Sequence, residues 1–287
     1  MILFSPEYKR YIRLLSVLSV FVFLFFGSDV SAVAEAAAIS AKSVKPSIGE
    51  SFLGEELNYK VGFWIFNNVA RGRLTFHGKG EGIYEATLSA HTTGLARFVR
   101  RRKDFFIATM EVVPGAERLR TLSFDKTSRL DGKERRKLVE IDYGKRILRW
   151  KKWKNGKLRK SGELPIPEGV VYDDPITAFY NLRYGAYGSV RDAAAFTIKT
   201  LPTDEGKEID IKVRFAGRKE TAARRAGLGK GEGFLADVSL DKDLFDSKSG
   251  LMEIYFNPDM VVTYAVAKDV LFFGDVRGKL LPAADSR

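Results

Sequence analysis

Residues 131–160 read DGKERRKLVEIDYGKRILRWKKWKNGKLRK, and three turn pairs punctuate them: Asp131-Gly132, Tyr143-Gly144 and Asn155-Gly156. Asp-Gly and Asn-Gly supply the positive φ angles of a two-residue hairpin turn, so the runs between them read as neighbouring strands of an antiparallel meander. The strands expected here are Lys133–Tyr143, Arg146–Lys154 and Leu158–Leu164. Upstream, Glu56–Ile65 and Val69–His77 form a predicted hairpin about Phe66-Asn67-Asn68. In Ile83–His91 the residues Tyr84, Ala86, Leu88 and Ala90 alternate with polar ones, the period-2 signature of a sheet with one dry face. Gly94–Arg102 reads as a short helix or an irregular crossing. Phe105–Val113 stops at the Pro114-Gly115 turn, and Arg118–Phe124 follows.

Pro165–Tyr172 leads into the one well-marked helix. Beyond it, β-like runs are expected at Phe196–Thr200, Glu208–Phe215, Lys219–Arg225, Phe234–Leu240, Leu251–Asn257, Met260–Ala267 and Val270–Leu280. The fold class is therefore mainly β: a single large antiparallel sheet curved into a barrel, half-barrel or sandwich, with one short helix, about 174–184, packed on it. That helix is specified by Asp174 as N-cap, Pro175 at the first position and Gly185 just past the last turn. Ile176, Phe179, Tyr180 and Leu182 fall on one side, opposite Thr177 and Asn181, and Arg183 falls among the apolar group.

With 287 residues, 45% of them hydrophobic and 29% charged, the chain has the composition of a globular protein. Lys9, Arg10 and Arg13, the apolar run Leu14–Phe26 and the small residues Ala32-Val33-Ala34 have the three parts of an export signal. The apolar run has 13 residues, short of the roughly 20 that span a bilayer as a helix, so cleavage is expected, with an uncleaved anchor as the alternative. Residues 1–34 are thus read as a cleaved signal, 35–49 as a flexible leader, 50–282 as a single β-rich domain and 283–287 as a disordered tail. A periplasmic location follows. The chain has no cysteine, which excludes disulfides, thiolate metal sites and cysteine nucleophiles.

The net charge of +12 is concentrated: Arg97 to Lys160 holds 22 Lys and Arg against 8 Asp and Glu. Such a region is either a solvated face or a surface for anionic partners. In the second case Arg100, Arg101, Arg102, Lys151 and Trp153 are candidate ligand contacts, suited to a lipid headgroup, an acidic envelope glycan or the membrane surface; export argues against nucleic acid.

Catalytic chemistry finds little support. His77 and His91 have no nucleophile turn to serve and cannot complete a zinc site, so no metal and no cofactor is expected. Asp173-Asp174 invites comparison with a glycosidase carboxylate pair, but adjacent residues on an extended strand point opposite ways and Asp174 has a cap to make. Gly227–Gly233, with glycine at every second position, matches no phosphate-binding loop. Arg183 either joins a structural ion pair and closes the helix, or faces a ligand.

Ala70-Arg71-Gly72-Arg73-Leu74, the Asp174–Arg183 helix, Gly250–Asp259 and Phe273–Val276 together resemble the exported bacterial family called domain of unknown function 3108, over about Phe52–Leu281. The resemblance implies a β fold and an envelope location and assigns no activity. The function expected is a non-enzymatic binding module for an amphiphilic or anionic envelope molecule, with Arg183, Tyr180, Phe63 and Tyr255 lining any cavity. The alternative is a structural or assembly factor of the envelope, with an enzyme third.

Overall fold

The computed structural model describes residues 46–63, 66–94, 101–191, 193–225, 232–240, 247–270 and 274–282. Residues 1–45, read as the signal and most of the leader, lie outside this part, as do Ile65, most of the expected Gly94–Arg102 crossing with Arg100, most of Gly227–Gly233 and residues 283–287. Fourteen described strands form one antiparallel sheet. They are β1 (Glu56–Phe63), β2 (Phe66–Gly80), β3 (Ile83–Thr92), β4 (Arg102–Val112), β5 (Leu119–Leu130), β6 (Lys133–Asp142), β7 (Ile147–Lys154) and β8 (Lys157–Pro165), then β9 (Ala195–Thr200), β10 (Ile209–Phe215), β11 (Phe234–Ser239), β12 (Leu251–Phe256), β13 (Val262–Val270) and β14 (Gly274–Leu280).

Two meanders, β1 to β8 and β9 to β14, are joined where β1 pairs with β14. The free edges are therefore β8 and β9, which are consecutive in sequence, and the sheet is not closed. Helix α1 (Pro175–Tyr184) lies in the connection between these edges. One apolar cluster unites Phe106, Met110 and Leu119 of the first wing with Ile198, Ile211 and Val238 of the second, and Ile176, Phe179, Tyr180 and Leu182 of α1 with both. Strands from opposite wings meet around one helix only if the sheet curls, so the architecture is an open barrel with α1 in its interior. A second cluster, Val139, Ile141, Leu148 and Trp150, is covered by Ile166 and Tyr172 from the segment after β8.

The turns at Asp131-Gly132 and Asn155-Gly156 have positive φ at both central residues, as expected. Other local readings change. Tyr143-Gly144 is part of a four-residue loop between Asp142 and Ile147, in which the Asp142 carboxylate accepts the Lys145 N–H at 2.8 Å and Arg146 takes φ 55°. Phe66 already pairs with Phe63, so Phe66-Asn67-Asn68 opens β2 and is not the turn. Lys219–Arg225, expected as a strand, is helix α2 (Arg218–Arg225), where Glu220 and Arg224 pair one turn apart at 2.8 Å. Lys, Glu, Ala and Arg favour helix over strand, and that propensity prevails here.

Ile48, read as leader, is fully buried. A Cβ on the neighbouring Gly49 would stand 1.9 Å from the Tyr84 ring, so only glycine lets the chain pass there. Thr177 and Asn181, the polar side of α1, are as buried as its apolar side. No helix of the described residues is long and apolar enough to cross a membrane.

Candidate functional site

The root of α1 is a buried polar network. Asp174 caps the helix: one carboxylate oxygen accepts the N–H groups of Ile176 and Thr177 at 2.8 and 3.2 Å, and the other accepts the hydroxyls of Thr121 and Thr177. At the far end Gly185, with φ 86°, returns its N–H to Asn181 and Leu182. The Asn181 side chain bonds both the N–H and the C=O of Leu119, at 2.8 and 2.9 Å, fastening α1 to β5. Asp173 points another way, to Arg118 at 2.9 Å, Asn181 at 3.2 Å and the Tyr187 hydroxyl. Burial raises its carboxyl to about 6 despite the Arg118 charge. The two aspartates thus serve different partners and do not form an acid–base pair.

Arg183 is closed on all sides. Its guanidinium forks onto Glu55 at 2.6 and 2.7 Å, and its Nε donates to the Met260 carbonyl at 3.0 Å. It also lies over the Phe52 and Phe179 rings. Tyr180 is fully buried between Phe52 and Phe76. These two residues are core rather than cavity wall. Phe63 is partly buried beside Phe66. Tyr255 sits on the opposite face from Ile254 and Phe256, in a small cluster with Ala216 and Leu235. Strand alternation sends it outward, and it does not meet Arg183.

The basic residues also divide by face. Arg102 is buried against Asp104 at 2.6 Å. Arg101 lines a groove of about 580 Å³ with His91, Lys103, Phe105 and Arg129. On the outer face of β5 to β8 the charges are neutralised pairwise: Arg136 with Asp125, Arg129 with Glu134, Lys151 with Glu140 and Arg149 with Glu163. Trp153 belongs to this face, with the Arg136 guanidinium over its ring.

The inner face differs, and its residues were not singled out from the sequence. Register places Phe106, Lys126, Lys137, Lys152 and Lys160 directly opposite one another across β4 to β8. One row nearer α1 stand Phe124, Val139, Trp150 and Gly162. One row farther stand Ser128, Arg135 and Lys154, with Lys157 opposite Lys154. The concave surface therefore passes from apolar to cationic along the strands. Lys126 is half-buried, and desolvation lowers its ammonium to about 8 even with Asp104 nearby. Asp204, on the loop between β9 and β10, pairs with Lys137 at 2.9 Å and also with Lys152.

A family model matches residues 58–280, described as Protein of unknown function (DUF3108). The chain belongs to this family. A solved structure described as a beta-barrel-like protein of domain of unknown function DUF1849, from Brucella abortus, is similar at 12% identity, with a TM-score of 0.45, over 80% of this chain and 97% of that one. A search of curated proteins gave no match. Membership in DUF3108 accounts for the helix and closing segments that carried the resemblance, and it brings no activity with it. Among the described residues no three His, Cys, Asp or Glu side chains come together as a metal site. His77 and His91 lie exposed on the strands β2 and β3.

Proposed function

We propose that the chain is a non-enzymatic binding module of the cell envelope, taking an anionic molecule on the concave face of β5 to β8. The observation that supports this reading is the unequal treatment of the two faces of the same strands. Outside, each cation named above has its carboxylate; inside, the cations of two adjacent rows face Asp104 and Asp204, and Asp104 is already engaged by Arg102. A concentration of like charge raises the local potential and attracts anions. The candidate carboxylates Asp173 and Asp174 are both committed to holding α1, which favours binding over catalysis.

Export to the periplasm, read from residues 1–34, supplies a setting in which anionic lipids and glycans are the abundant partners. The test is purification from native envelope followed by mass spectrometry of the small molecules extracted. A stoichiometric anionic lipid or glycan is the expected result. A protein partner without such a molecule would instead favour an assembly role through the outer face, where Leu158 lies 55% exposed opposite Trp153.

A further inference from the structure

We propose that Lys126, Lys137, Lys152 and Lys160 form a multidentate site for a phosphate-bearing anion, a phosphomonoester or pyrophosphate group, and that Asp204 occupies part of this site until the ligand displaces it. The inference rests on the concave-face reading above and adds the ligand class and an internal competitor.

Four lysines stand in one cross-strand row on four consecutive strands, β5 to β8. Adjacent strands are about 4.8 Å apart, so each ammonium has a like charge beside it, an arrangement that destabilises a sheet unless an anion lies across it. Lysine on an edge strand guards against pairing with another chain, which accounts for Lys157 and Lys160 on β8. It does not account for Lys126, Lys137 and Lys152, which lie on interior strands. Nor is the row a by-product of a basic surface, since the outer face of the same strands is ion-paired.

Asp204 is the second observation. Its carboxylate bridges Lys137 and Lys152, and these two ammonium groups hold its pKa down against the opposing effect of burial. The row thus already holds an oxyanion, presented by a loop and not by the sheet. That loop is a tight turn, with the Thr203 N–H bonded to the Lys207 carbonyl at 2.9 Å and Gly206 at φ 80°, so a rotation of the Asp204 side chain alone vacates the lysines. Lys160 has no carboxylate partner among the described residues. A phosphate, with more oxygens and more charge than one carboxylate, reaches several of these ammonium groups at once.

The test is isothermal titration of pyrophosphate into the intact folded chain at low salt. The proposal predicts that Lys137→Gln/Lys152→Gln weakens binding by about tenfold or more. It predicts that Asp204→Asn tightens binding, and that Lys151→Gln on the outer face leaves it unchanged. Asp204→Asn with equal or weaker affinity, or Lys151→Gln as damaging as Lys152→Gln, would overturn the site. If the double variant fails to fold, Lys160→Gln, at an exposed position, carries the same prediction with Asp204→Asn. A short-chain phosphomonoester amphiphile binding tighter than pyrophosphate identifies a lipid headgroup as the source; equal affinity identifies soluble phosphate, and both support the site. Pyrophosphate binding with these variant effects, but no anionic molecule in the envelope extract, sinks the envelope-ligand reading and leaves the site standing.

Discussion

Arg183 is the residue whose role turned on its surroundings. Its position among apolar residues was legible from the helical period, whereas its partner Glu55 lies 128 residues away and no local pattern could supply it. Buried, forked onto a carboxylate and stacked on aromatic rings, it is a structural charge. Arg183→Met should cost about 3 kcal/mol by urea unfolding, because Glu55 is left partly buried and unpaired. Adding Glu55→Leu should restore part of that loss; an Arg183→Met variant as stable as wild type would contradict the assignment. Asp173 gives a pH signature. Its folded-state pKa, about 6, lies above its ordinary value of 3.8, so its contribution to stability is fully present below about pH 4 and is lost as pH rises through 6. The stability of wild type relative to Asp173→Asn should therefore fall between pH 4 and pH 6.5 and level off above. A flat difference across that interval would show that Asp173 does not titrate there.

At the scale of elements, α1 is held by side chains that its polar side presents. Asn181→Ala would leave the buried N–H and C=O of Leu119 without partners and should cost about 2–4 kcal/mol in thermal or chemical unfolding. A cost below about 0.5 kcal/mol would mean that α1 is held by apolar packing alone. The same residue shows where sequence reading stopped. Helical spacing separated Thr177 and Asn181 from the apolar residues, but polarity alone did not reveal that this side is buried against β5. The meander shows a second limit. The Asp131-Gly132 turn fixes Leu130 opposite Lys133, and with it Lys126 opposite Lys137. A two-residue turn at Tyr143-Gly144 would have set Lys137 opposite Trp150. The actual four-residue loop shifts the register by two and sets Lys137 opposite Lys152. The bulge at Lys152/Trp153 then aligns Lys160 with them. Loop length and a bulge, neither marked by residue type, create the lysine row.

For the whole molecule, the mainly β class, the single antiparallel sheet and the helix α1 followed from alternation, turn chemistry and capping, whereas one expected strand, Lys219–Arg225, is helix α2. Curvature and the placement of α1 between the two free edges followed from which strands share a core, which is a long-range property. That curvature is what turns a basic stretch of sequence into two unlike surfaces: Lys151 and Trp153 go outside among ion pairs, and Lys126, Lys137, Lys152 and Lys160 go inside. The most direct measurement is a backbone-amide NMR titration of the folded chain with a short-chain anionic amphiphile, compared with a zwitterionic one of equal chain length. The account predicts shifts confined to β5 to β8 and the Asp204 loop, with the anionic ligand only, and their loss as salt is raised. Equal shifts with both amphiphiles, or shifts centred on the outer face around Trp153, would contradict it.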